Sequence, residues 1–211
     1  MTIRPIVATA VVGAALLAST ASAQAPASFM VVSPVYSQLV AFSIPSNFVA
    51  GAERNDGTTY TREAVPKGET VDKWSEMITV TGAKGLASQP NASAEKFGGL
   101  IASGFKQACP DSFDVKVLGA AKTPDSETFA AVVGCGRFDK AASRSETTLV
   151  IAIKGIADIY TVQWSERGKP ADKADVGNAK WLERLQKLAP LRVCAIVPGE
   201  APPYPSCVGK P

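Results

Sequence analysis

The sequence predicts an α+β fold, a single α/β/α sandwich on a mainly antiparallel sheet, from three observations. Residues 114–166 read as a succession of strands, an amphipathic helix precedes them near 93–108, and a second follows near 181–188. Strands and helices that each carry one apolar face must bury those faces against one another, and a strand–helix–meander–helix order does so by placing helices against a sheet.

The N-terminus comes first. Arg4 is followed by an apolar run from Ile6 to Leu17 and by Ala21-Ser22-Ala23, the basic region, hydrophobic region and small-residue cleavage site of a secretory signal peptide over residues 1–23. The competing reading is a retained anchor, but Ser19, Thr20 and Ser22 dilute the last turn, and a span needs about 20 strongly apolar residues. Cleavage leaves a periplasmic or secreted protein with no stable membrane span. No cysteine precedes Cys109, which excludes an N-terminal lipid anchor.

Residues 24–35 read as a lead-in to one domain over 36–190. Tyr36 to Ile44, bounded by Pro34 and Pro45, is a strand, and the alternating Thr58 to Val65 run is another, with Asn55-Asp56-Gly57 as turn chemistry between them. These are expected to form the first antiparallel pair. Val71, Trp74 and Ile78 fit one side of a short turn, while Ile78 to Thr81 fits a strand. In the first helix Phe97, Leu100, Ile101, Phe105 and Ala108 share a face, Asn91 or Ser93 supplies the cap, and Cys109-Pro110 ends it. Gly98, Gly99 and Gly104 weaken that helix and point to close packing on a sheet.

Strands follow at 114–118, 127–138, 147–154 and 156–166, with Phe129, Ala131, Val133 and Cys135 on one face and Lys154-Gly155 as a hairpin signal. In the last strand Asp158 falls among Ile156, Tyr160, Val162 and Trp164, and is expected to reach solvent at the hairpin end. The second helix carries Trp181, Leu182, Leu185 and Leu188 inward, with Lys180, Glu183, Arg184 and Lys187 outward. Residues 191–211 form a Pro-rich tail unsuited to a helix or central strand.

Composition excludes several functions. The chain has 22 Lys and Arg against 19 Asp and Glu, a net charge of +3, with basic residues scattered; nucleic-acid binding needs a clustered basic patch. There is no histidine, so imidazole-based triads and metal sites are ruled out. No G-x-S-x-G elbow, C-x-x-C pair or phosphate-cradling glycine loop occurs, and no metal or cofactor is expected.

Ser93-Ala94-Glu95-Lys96 fits S-x-x-K, in which a lysine one turn away activates a serine, but the partner motifs S-D-N and K-T-G are missing. Ser93 is read as a helix cap and Lys96 as a solvated charge. Glu53 with Asp56, Asp72 with Glu76, and Asp172 with Asp175 are carboxylate pairs in polar segments, where a solvated surface is the default. Tyr60, Arg62, Lys67 and Trp74 form the candidate contact surface, since Trp and Arg favour recognition hot spots; against it, Trp74 suits the core and Arg62 an outward strand position.

The four cysteines are even in number and no two are closer than 13 positions. In an oxidising compartment that spacing means disulfides rather than a zinc or exchange site. Cys109 ends the first helix and Cys135 lies mid-strand, so this pair would staple helix to sheet; Cys194 with Cys207 would close the tail into a loop.

The element order of strand pair, Tyr60-Thr61-Arg62-Glu63 run, Trp74 to Thr81 segment, helix, meander and terminal helix resembles the PsbP/DcrB-like α/β/α sandwich over about residues 36–189. The stretch Tyr60 to Val80 is also similar to one in uncharacterised exported bacterial proteins. The resemblance implies a curved antiparallel sheet with helices on its faces, and a non-enzymatic accessory or binding protein; it assigns no functional residue. The expected function is therefore a non-catalytic exported module that meets an envelope protein or a small ligand. The alternatives are an envelope hydrolase using Ser93 with Lys96 or a carboxylate pair, and a structural or stress-protective envelope protein.

Overall fold

The computed structural model describes residues 27–123, 126–138 and 143–209, so the signal segment lies outside the described residues. The chain is α+β, and among the described residues all strand pairings are antiparallel. In chain order the strands are β1 (Ser28–Val35), β2 (Gln38–Pro45), β3 (Phe48–Asn55), β4 (Thr59–Pro66), β5 (Glu76–Ala83), β6 (Phe113–Lys122), β7 (Glu127–Phe138), β8 (Arg144–Lys154), β9 (Ile159–Gly168) and β10 (Arg192–Ala195). The helices are α1 (Ala94–Ala108), α2 (Lys180–Leu188) and the short α3 (Pro205–Val208).

A seven-stranded sheet of order β3-β4-β5-β9-β8-β7-β6 forms the body, and a three-stranded sheet of order β1-β2-β10 packs on it. The meander β7-β8-β9 falls where the alternation of Phe129, Ala131 and Val133 placed it: these residues meet Ala94, Phe97, Ile101 and Phe105 of α1. Ser93 caps that helix, its hydroxyl accepting from the Lys96 amide at 3.1 Å. Gly98 is required by this contact, because a Cβ there would lie 2.6 Å from Phe129 Cδ1. Leu100, expected inward, is 66% exposed.

The opposite face differs from the expected helical layer. Val132, Leu149, Ile151, Val162 and Trp164 pack there against Val40, Phe42 and Ile44 of β2 and against Trp181 and Leu188 of α2, so this face is covered by the small sheet and a helix together. The reason lies in residues 28–45: the lead-in is itself strand β1, paired along its whole length with β2. Accordingly β2 does not pair with β4, as the first-pair expectation had it; the Asn55–Gly57 turn joins β4 to β3, a strand the sequence reading omitted. The Trp74 turn forms no helix, and β5 begins at Glu76.

Strand β2 is buried on both sides. Its outer residues Leu39 and Ala41 are sealed by Cys194, Tyr204 and Cys207 of the tail, with Cys194 and Cys207 joined as a disulfide. The tail contributes β10 as an edge strand, which its prolines permit. The second disulfide, Cys109–Cys135, ties the end of α1 to β7, as the placement of those elements predicts.

The two sheets are joined at one end by Asp158, which is 2% exposed and not solvated as expected. Its carboxylate accepts from the Ser37 amide at 3.1 Å, the Ser37 hydroxyl at 2.5 Å, the Gly85 amide at 2.7 Å and the Tyr160 hydroxyl at 3.1 Å. Beside it, Gln38 Oε1 accepts from the Ile156 amide at 2.8 Å, and Gly155 leaves the space: a Cβ there would fall 2.1 Å from that oxygen. Ile156 itself is not in the strand and is 72% exposed.

Burial alone would raise the Asp158 pKa, but the donors from Ser37, Gly85 and Tyr160 outweigh it and hold the carboxyl below its ordinary value. A depressed folded pKa gives stability that is present above the unfolded value, near 3.9, and is lost as pH falls through the folded one. Asp158→Ala leaves four donors without their acceptor, the buried Tyr160 hydroxyl among them, and is expected to cost about 3 kcal/mol, read as a lower urea midpoint at pH 7. For Asp158→Asn the gap to wild type should shrink as pH falls below about 4; a gap that widens in acid would mean that the carboxylate is not the stabilising form.

Candidate functional site

Helix α2 is nine residues long and lies on a sheet face much wider than itself, which leaves space along its flank. On the side facing β1 and β3 is a cleft of about 480 Å³, a volume in the range of small-molecule sites. Its walls include Pro45, Phe48 and Trp164 as apolar surface and Glu76, Lys180, Glu183, Arg184 and Lys187 as charged groups. Phe48 and Trp164 meet edge to face at 5.4 Å between centroids.

Arg184 organises this cleft. Read by charge it belongs outside; by position it follows Trp181 by three residues and precedes Leu188 by four, which puts it on the buried face. It is 8% exposed, whereas Leu182, expected inward, is 50% exposed. The guanidinium carbon lies 5.2 Å from the Trp164 ring centroid and 4.7 Å from that of Trp181. Nη2 donates to both Glu76 and Glu166, the latter at 2.5 Å. Lys180 Nζ reaches the other Glu166 oxygen at 2.6 Å. Burial acts to raise the Glu166 pKa, and the donors and positive charges of Lys180 and Arg184 bring it below the ordinary carboxylate value. One polar demand remains: Arg184 Nη1 and Trp164 Nε1 are buried without a hydrogen-bond acceptor among the described residues.

The structure scatters the residues of the expected contact surface. Tyr60 is buried and donates to Glu53 at 3.1 Å. Arg62 projects on the same sheet face and donates from Nη1 to Ser33 of β1 at 3.1 Å. Trp74 lies under the Arg167 guanidinium, 3.6 Å from the ring centroid, and the alternation of β9 puts Arg167 on the opposite face from Trp164. Lys67 is exposed in the turn after β4. The four do not make one surface.

The remaining candidates are placed as local structure. Lys96 Nζ donates to the Asn91 carbonyl at 2.8 Å while its amide takes the Ser93 hydroxyl, so the S-x-x-K residues close a helix end. Asp56 accepts from the amides of Thr58 and Thr59 at 2.8 and 2.6 Å, Asp172 pairs with Arg137, Asp175 accepts from Asn178 at 3.1 Å, and Asp72 is exposed. Among the described residues no group of three or more Asp, Glu, Cys or His is placed to hold a metal ion.

Removing one member of a buried ionic cluster strands its partners, at a cost of about 3–5 kcal/mol. Arg184→Met, which keeps much of the packing, is expected to lower stability at pH 7 by about 3 kcal/mol. The loss should shrink as pH falls through the depressed folded pKa of Glu166, measured by urea unfolding at pH 7 and about pH 3; a loss independent of pH would place the effect in packing alone.

Neither protein-family models nor curated proteins give a match to this chain.

Proposed function

We propose that the chain is a non-catalytic exported protein, a binding module of the periplasm or the extracellular space, that holds a small ligand in the cleft beside α2. The observation that carries this reading is the cleft itself: a ligand-sized space with aromatic and charged walls, two of whose lining residues, Trp164 and Arg184, each have a buried donor without a partner among the described residues. The N-terminal signal pattern and the two disulfides support the exported setting. Among the described residues no helix is long and apolar enough to cross a membrane. The resemblance to the PsbP/DcrB-like sandwich adds the accessory, non-enzymatic character, and the capping role of Ser93 argues against the S-x-x-K hydrolase reading.

Two measurements test this. Mature protein equilibrated with a small-molecule extract of its own envelope or culture medium, then desalted, should retain a ligand. Ser28→Trp, which fills the cleft from the exposed start of β1, should reduce that retention about ten-fold or more. Equal retention by the filled variant would move the ligand elsewhere. A fluorophosphonate probe should leave Ser93 unmodified; labelling there would make the protein an enzyme.

A further inference from the structure

We infer that the α2 cleft selects a compact ligand carrying a carboxylate or another oxyanion on a short apolar body. This rests on the binding reading above and adds the ligand's chemistry. Among the described residues, the buried side-chain polar atoms without a partner are Arg144 Nε, Trp164 Nε1 and Arg184 Nη1. All are nitrogen donors, and two of the three belong to residues that line this cleft. A buried donor left unpaired is costly, so the cleft's unmet requirement is for acceptors.

The acidic groups do not meet it. Glu76 and Glu166 are both engaged by Nη2, and Lys180 takes the second Glu166 oxygen. Arg184 keeps a tenth of its side chain accessible, and Lys187, which lines the same cleft, has no ionic partner among the described residues. A guanidinium nitrogen and an indole N–H without acceptors among the described residues, with the Lys187 ammonium on the same cleft, form a donor set whose chemistry suits an oxyanion, for which charge-assisted hydrogen bonds are the strong ones; both nitrogens are buried, so a ligand oxygen reaches them by a shift of the side chains that cover them. Phe48, Pro45 and Trp164 enclose the apolar part. Glu183 stands on the same rim one turn before Lys187, and its charge opposes that of the ligand.

The test uses the mature, isotopically labelled protein and three probes of one shape: benzoate, benzamide and benzylamine. Binding is followed by calorimetry and by the indole N–H resonance of Trp164. Benzoate should bind most tightly and shift that resonance. Lys187→Gln should weaken benzoate about five-fold and Glu183→Gln should strengthen it by a similar factor; both residues are exposed, so neither change endangers the fold. If benzamide binds as well as benzoate, or benzylamine binds better and the two variants act with reversed signs, the oxyanion assignment is overturned while the cleft remains a binding site. If no probe moves the Trp164 resonance, the assignment is likewise overturned, and the ligand-retention experiment with Ser28→Trp decides separately whether the cleft binds anything.

Discussion

The buried carboxylate of Asp158 sets how the two sheets meet. Its donors come from the turn between β1 and β2, from the turn after β5 and from its own hairpin, so one side chain fastens three chain reversals to a single point. Without this contact the directional ties between the sheets would be reduced chiefly to Gln38 with the Ile156 amide and Arg62 with Ser33, beside apolar packing that is non-directional. With it, β2 is fixed over β5, β9 and β8, and Val40, Phe42 and Ile44 face Val80, Val162 and Ile151 in one core. The cost of burying the charge is met because four donors converge on it, and the same donors depress its pKa.

What the small sheet does not cover then becomes the space for function. Three strands and a nine-residue helix close only part of a face seven strands wide, and the gap between them is bordered by whatever side chains α2 presents. There the sequence places an arginine where a leucine would finish the core. Two tryptophans flank it and two carboxylates neutralise it, an arrangement in which the ion pairs hold α2 to β5 and β9 while Nη1 has no acceptor among the described residues. An apolar seam in the same position is often as stable or more so, and the ionic cluster accords with the recognition role proposed above.

Much of the fold was legible in the sequence where periodicity is strong. The β7-β8-β9 meander, helix α1 with its Ser93 cap, and both disulfides follow from alternation, capping chemistry, the position of Cys109 at a helix end and Cys135 within a strand, and the two cysteines of the tail. Strand β3 escaped because Phe48 to Asn55 carries small and polar residues on an exposed edge, with a bulge at Gly51. The placement of β1 and β2 in a separate sheet escaped because nothing local distinguishes which sheet a strand joins. Asp158 looked solvated because two of its donor residues, Ser37 and Gly85, lie 121 and 73 residues away in sequence. The same is true of the site. The 3–4 spacing of Trp181, Arg184 and Leu188 held the signal for a buried Arg184, but charge outweighed position in reading it, and its partners Glu76 and Glu166 come from strands that only the folded sheet brings together. Of the residues singled out by type, Tyr60 and Arg62 share one face of β4, whereas Lys67 and Trp74 lie in the segment between β4 and β5, and the path of that segment, which residue type does not reveal, keeps the four apart.

The central claim is that this is a carrier of a small acceptor-rich molecule rather than a catalyst or a purely structural protein. Native mass spectrometry of the protein isolated gently from the compartment into which it is exported tests it most directly. The account predicts the mature chain, two disulfides intact, with a small-molecule adduct whose fragments include an oxyanion and which is lost when the protein is unfolded and refolded. A bare mature mass from that compartment, with no adduct restored on return to the native extract, would contradict it.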